Sequence, residues 1–340
     1  MRVAKYYSNH DIRLEEMPIP RIGAEELLVK VMASGICGSD VMEWYRKAKA
    51  PLVLGHEIAG EICEVGDGLP FGIGDRIFVS HHVPCNKCRY CLNDHHTLCD
   101  TLRSTNFDPG GFAQFVRIPS INVTNGTYLL PDAMSYEEAT FIEPLACVLR
   151  GLHRAGLRSG QNVLVLGSGI SGLLNIHVLR ALGARRIMAT DIQSCRLQAA
   201  RTFGADAAFH GEEDVAVRFR EINDGNLADL VITCAGIPSV IDQAFRSVER
   251  GGTILFFAPL EPGIQVQLPF WNVWRDQITM VSTYAGAKRD IKEAIELIQS
   301  GKLRLRDMIT HRLGLAKTGL GFQLVLRAED SIKVIIEPWR

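Results

Sequence analysis

The sequence predicts an α/β chain in which a β-rich domain is followed by a doubly wound parallel sheet. Three observations carry that expectation. Up to about residue 147, short apolar runs are divided by Gly, Pro and Asp turns. From 148 to 284, apolar strands alternate with helical stretches, the pattern of a parallel sheet covered on both faces. Residues 285–340 form a tail with a texture of its own.

The elements follow in order. "MRVAKYYSNHDIRLEEMPIP" alternates like a strand and lacks the apolar core of a signal peptide. "ELLVKVMASGIC", "EIAGEICEVGDG", "GDRIFVS" and "GGFAQFVRIP" read as strands with turns between them. "SYEEATFIEPLACVLRGLHRAG" has helical spacing, and "QNVLVLGSG" is a buried-strand pattern. "ISGLLNIHVLRALGA" reads as a helix closed by Gly183, "RRIMATD" as a strand and "SCRLQAARTFGA" as a helix. "LADLVITCAG", "PSVIDQAFRSVERGG" and "TILFFAP" continue the alternation. The tail, from "DIKEAIELIQSGKL" to "SIKVIIEPWR", reads as a helix, a loop and a final strand.

Charge and composition exclude several classes. A formal net charge of −1 without a basic stripe argues against nucleic acid and anionic membranes as partners. No apolar run is long enough to span a bilayer. Nine cysteines, several of them clustered, favour metal thiolates over disulfides and a cytoplasmic location.

"VLVLGSGISG" sets Gly167, Gly169 and Gly172 in GxGxxG spacing after a strand and at the opening of a helix, with Ile170 and Ser171 between the last two glycines. Gly167 permits the tight turn, Gly169 lets backbone approach a pyrophosphate, and Gly172 lets helix and strand pack closely. The helix N-terminus offers free N–H groups to the phosphates. Asp191 closes the next strand, placed to accept from the ribose hydroxyls and to repel a 2′-phosphate, which favours NAD over NADP. Arg196 could contact the ribose or neutralise Asp191, leaving room for NADP. The alternative is a glycine-rich turn in an unrelated α/β sheet.

"PCNKCRYCLNDHHTLCD", residues 84–100, holds Cys85, Cys88, Cys91 and Cys99. Four thiolates close a tetrahedral zinc shell and leave no position for water or substrate, so this lobe reads as structural. Its apolar content is low, and metal binding supplies the ordering free energy. His95 and His96 are rival ligands, and an iron–sulfur cluster is the other alternative, although no proline follows the last cysteine.

A catalytic zinc needs protein ligands and an open position. "SGICGSD" offers Cys37, "LGHEIAG" offers His56 beside Glu57, and "FIEPLACVLRG" offers Glu143. Singly, such residues are more often simply packed. Taken as a set and in order, "GICGSD", "GHEIAGEI", "VGDG", "GDRI", the four-cysteine lobe, "GGFAQFV", "EPLAC" and the glycine fingerprint resemble the zinc-dependent medium-chain dehydrogenase/reductase family, over essentially the whole chain. Glutamate in "EP" is similar to the sorbitol (polyol) and threonine dehydrogenase branch.

The resemblance implies a GroES-like catalytic domain, 1–147, an inserted Rossmann domain, 148–284, and a return of 285–340 to the first, with the active site in the cleft between domains. It implies two zinc ions per subunit. The catalytic one would be held by Cys37, His56 and Glu143, with Glu57 nearby or exchanging as a ligand. Ser39 would be the relay hydroxyl that takes the alcohol proton, the alternative being a turn serine, and Asp40 would orient His56. Hydride would pass between a secondary alcohol or its ketone and the nicotinamide.

Two departures stand out. Many relatives carry histidine three residues after the relay hydroxyl; this chain has Met42, so the proton must leave otherwise, through Glu43 or water. The Arg-Tyr substrate pair of sorbitol dehydrogenases reads here as Thr283 and Tyr284, which weakens the case for sorbitol itself. Trp44, Tyr45 and Arg46 line the cleft mouth or merely pack, and Trp271 and Trp274 form a wall or a subunit contact.

The leading reading is an NAD-linked zinc dehydrogenase of a polyol, sugar alcohol, cyclitol or amino alcohol. The rivals are L-threonine 3-dehydrogenase, a metal-free quinone or enone reductase, and a non-catalytic zinc-stabilised NAD-binding protein. A homodimer or homotetramer is expected, pairing through an open strand such as "TILFFAP" or "ITMVSTY".

Overall fold

The computed structural model describes all 340 residues and divides into two compact units: Met1–Ala146 with Ala285–Arg340, and Cys147–Tyr284.

In the first unit the strand Leu27–Gly35 is central. Leu27, Val29 and Val31 are fully buried, as alternation on a covered sheet requires. Side by side run Ile309–Gly314, Lys333–Glu337, Leu27–Gly35, Glu57–Val65, Arg76–Ser80 and Thr127–Leu129, and Phe115–Ile118 also pairs with Leu27–Gly35. A smaller sheet joins the Arg2–Ser8 and Asp11–Glu16 hairpin to Leu52–Val53. Register positions the chemistry. Gly35 lies opposite Glu57, and Glu57 opposite Ser80, so the chain passes Cys37, His56 and His81 at one end of three neighbouring strands.

The tail is richer than a helix, a loop and a strand. After the helix Lys288–Gln299, the expected loop forms the strand Ile309–Gly314, parallel to Lys333–Glu337, and the helix Thr318–Arg327. That helix forms because Phe322 buries against Tyr6 and Phe112, ring centroids 5.9 Å from each. Helical propensity alone does not announce it, since the segment holds two glycines.

The second unit is a parallel six-stranded sheet in the order Ala207–His210, Arg186–Asp191, Asn162–Leu166, Ala228–Thr233, Val248–Phe256, Thr279–Ser282. Val163 through Leu166 are fully buried, which fits a strand covered on both faces. Helices Ile170–Ala181, Ser194–Thr202, Val215–Ile222 and Pro238–Ser247 make the crossovers. Gly183, at φ +84°, ends the first of them. The Thr279–Ser282 edge is largely exposed. No helix in the chain is long and apolar enough to cross a membrane.

Candidate metal centres and dinucleotide site

The four lobe cysteines converge within 4.8 Å of one another. Cys85 and Cys99 sulfurs lie 3.6 Å apart, as do those of Cys88 and Cys91. Sulfurs about 2.3 Å from a tetrahedral zinc would stand about 3.8 Å apart, so the set fits that ion. The thiols disagree electrostatically. Burial opposes ionisation of Cys99, yet backbone N–H groups of Cys85 and Leu102 hold it at about 6. Cys91 is pushed up to about 12 by burial, with Cys88 and Cys99 adding to the effect. Four neighbouring thiols cannot all ionise without a cation among them. The cysteines come together because short helical turns, Arg89–Leu92 and Asp100–Ser104, fold the lobe around Leu102.

At the strand ends, one donor atom each from Cys37, His56 and Glu57 lies within 4.8 Å of the others. Thiolate, imidazole and carboxylate form a zinc-type donor set. Glu143 is not in that cluster. It occupies the first turn of the helix Ile142–Arg154 and lines a small cavity with Ser80 and His82. Of the two carboxylates named from sequence, the strand register brings Glu57 beside Cys37 and His56.

Cys37 opens the short turn Gly38–Val41. Its sulfur accepts from the Ser39 N–H at 3.4 Å, and Asp40 Oδ2 accepts from the Cys37 N–H at 3.1 Å. The Ser39 hydroxyl donates to the same sulfur at 3.4 Å. Asp40, fully buried, sets Oδ1 3.3 Å from His56 Nδ1, leaving Nε2 for a ligand. Burial opposes protonation of His56, but the Asp40 carboxylate raises it well above its ordinary value.

Three features of this centre are not legible in the motifs. Lys333 is buried and forms an ion pair with Glu57 Oε2, its ammonium 5.5 Å from the Phe141 ring. His81 stacks on His56 at 4.8 Å and on His82 at 3.8 Å; burial holds His81 well below the usual imidazole range and His82 at about 4. Arg46 bonds to Ser39 and Asp40. The pair "HH" after a strand was the one available signal for His81 and His82.

In the second unit Gly167 takes φ +97°, and a Cβ on Gly172 would stand 1.9 Å from the Gly167 carbonyl oxygen. The helix Ile170–Ala181, which includes Ser171, has Gly169 at its N-cap and no side-chain capping bond. Its first N–H groups suit a pyrophosphate. Asp191 ends its strand with Oδ2 accepting from Ser168 N–H at 2.8 Å and Oδ1 from Gln193 N–H at 3.0 Å. Arg196 lies 3.9 Å from Asp191, and its guanidinium sits over Gly169. At the far end of the sheet Thr283 buries its hydroxyl while Tyr284 is exposed.

Residues 23–131 match the family model described as alcohol dehydrogenase GroES-like domain, and residues 171–300 the one described as zinc-binding dehydrogenase. Sorbitol dehydrogenase of Bacillus subtilis (strain 168) is 31% identical over 353 residues, covering 100% of this chain and 98% of that protein. L-threonine 3-dehydrogenase of Pyrococcus abyssi (strain GE5 / Orsay) is 34% identical, covering 95% of this chain and 94% of the other. A solved zinc-binding dehydrogenase of Sinorhizobium meliloti 1021, bound to NADP, superimposes with TM-score 0.88 at 26% identity over 99% of both chains. A GroES-like domain joined to a zinc-binding dehydrogenase domain defines an alcohol-oxidising enzyme class. The chain belongs to the zinc-dependent medium-chain dehydrogenase/reductase family, in its polyol dehydrogenase branch.

Proposed function

We propose that this chain is a zinc-dependent dehydrogenase that moves a hydride between NAD and a secondary alcohol: a polyol, sugar alcohol, cyclitol or amino alcohol. The observation that carries this reading is the convergence of Cys37, His56 and Glu57, with Asp40 holding the imidazole and Ser39 beside the thiolate. Glu143 remains a candidate to hold or exchange at the same centre. A zinc ion in such a donor set supplies Lewis acidity, which lowers the pKa of an alcohol hydroxyl.

The chain's own groups do the rest. Asp40 fixes the His56 ring, Ser39 Oγ accepts the alcohol's hydroxyl proton as its own hydroxyl proton passes on toward solvent, and Glu57, neutralised by Lys333, adds a carboxylate without an uncompensated buried charge. Gly167, Gly169, Ile170, Ser171 and Gly172 hold the pyrophosphate, and Asp191 the ribose, while Arg196 sets the tolerance for a 2′-phosphate. Cys85, Cys88, Cys91 and Cys99 keep their lobe in shape with a second zinc. Thr283 and Tyr284 are candidates for substrate contact.

The exposed Thr279–Ser282 edge, together with exposed Phe270, Trp271, Trp274 and Met280, supports pairing with a second copy of the chain. The absence of any disulfide among the nine cysteines supports a reducing cytoplasm.

The test is metal analysis combined with turnover of NAD⁺ and NADP⁺ over polyols, sugars, inositols and amino alcohols. The expected result is two zinc ions per chain and faster turnover with NAD⁺. Exclusive oxidation of L-threonine, the reaction named for the Pyrococcus relative, would select that alternative. NADH binding with no turnover would point to a non-catalytic binding protein.

A further inference from the structure

We propose that Arg46 is a positioning residue for the reaction at the Cys37, His56 and Glu57 centre: its guanidinium fixes the Ser39 hydroxyl and the Asp40 carboxylate. The proposal rests on the zinc-dehydrogenase reading above.

Arg46 closes the helical turn Glu43–Arg46 and reaches back over the Gly38–Val41 turn. Its Nε donates to the Ser39 carbonyl at 2.9 Å. Its Nη2 donates to Ser39 Oγ at 3.0 Å and to Asp40 Oδ1 at 3.4 Å. Its side chain is 14% exposed, and the guanidinium lies 4.7 Å from the Tyr45 ring, which leaves it little freedom.

The consequences follow from donor and acceptor counting. A serine hydroxyl has one proton and two lone pairs. Arg46 takes one lone pair. The proton is thereby turned toward Cys37 Sγ, and one lone pair remains for an incoming hydroxyl. Arginine only donates and stays charged, so Arg46 cannot receive the proton, and neither can Met42. Its contribution is therefore geometry and field. Through Asp40 Oδ1, which it shares with His56 Nδ1, the same guanidinium also steadies the imidazole. A lysine offers no planar fork and cannot span these acceptors together.

The experiment uses the zinc-loaded chain as wild type, R46M, R46K, S39A and S39A/R46M, assayed on the alcohol that the wild type turns over best. The same proteins are also prepared with Co²⁺, whose visible absorption reports the thiolate and imidazole geometry without turnover. R46M is expected to lower kcat about 10- to 100-fold, the effect of losing charge-assisted hydrogen bonds at a reacting group. KM for the dinucleotide should stay within about twofold, and the Co²⁺ bands should shift. In the S39A background the same change should cost clearly less than in the wild type, because the part of Arg46's effect that runs through Ser39 is already gone while the part through Asp40 remains.

Full multiplication of the two effects, or unchanged kcat and Co²⁺ bands in R46M, overturns the proposal. Should R46M not fold, R46K decides, and kcat within about twofold of wild type sinks it. A wild type that binds metal but oxidises no alcohol refutes the function reading instead. The Co²⁺ spectrum of R46M then decides Arg46 alone, with unchanged bands counting against it.

Discussion

Replacing Lys333 with methionine should be among the most damaging single changes in the first unit. Lys333 and Glu57 are each 1% exposed, and the two form an ion pair with each other. The space is closed on the remaining side: a Cβ on Gly35 would stand 2.2 Å from Glu57 Oε2 and 2.7 Å from Lys333 Nζ. Water cannot readily replace the ammonium, so K333M leaves Glu57 Oε2 without its buried ion-pair partner, whatever cation the Cys37 and His56 side holds. Breaking a buried pair from one side costs about 3–5 kcal/mol. For a unit of roughly two hundred residues, 1 kcal/mol corresponds to about 2–4 °C, so the melting temperature should fall by about 10 °C. The assay is calorimetry of zinc-loaded wild type, K333M, E57Q and K333M/E57Q. The double variant should be more stable than the sum of the single losses implies, by about 2 kcal/mol or more. A K333M melting within about 2 °C of wild type, or strict additivity, would refute the reasoning.

Three further outcomes are expected. Burial, with the charges of His56, Arg46 and Lys49, holds His82 at about 4, whereas the unfolded chain protonates it near 6.5. The unfolded state therefore binds the extra proton first, and stability should fall as pH drops from 6.5 to 4, by about 3 kcal/mol in total; H82Q should flatten that part of the denaturation-versus-pH curve. C99S should reduce bound zinc from two ions per chain to one and open residues 84–100 to protease, as read by metal analysis and limited digestion. D191A should raise KM for NAD⁺ about tenfold or more and narrow the preference over NADP⁺ in steady-state kinetics.

What the sequence made legible was local. The four-cysteine lobe and the glycine fingerprint each lie within a short segment, so spacing alone places their donors together. Strands with strict patterning, such as Leu27–Gly35 and Asn162–Leu166, were equally clear. The strand Ile309–Gly314 was not, because its pattern is mixed and its partner, Lys333–Glu337, is remote in sequence. The same holds for side chains. Glu57 meets Lys333 only through the register that sets Gly35 against both Glu57 and Ile335. Arg46 looks like a surface cation until the turn before it aims the guanidinium at Ser39. Lone charged residues carry no periodic signal that would mark such meetings.

The ion pair between Glu57 and Lys333 also orders events during synthesis. The cation follows its carboxylate by 276 residues. At about 5–20 residues per second, that interval is roughly 15–55 s. Through it, the whole Cys147–Tyr284 unit emerges with all its strands at hand, while the earlier half carries an acid with no counter-charge. The Lys333–Glu337 strand arrives only at the end of that interval, so the buried pair beside the ends of Leu27–Gly35 and Glu57–Val65 is among the last contacts the chain can close.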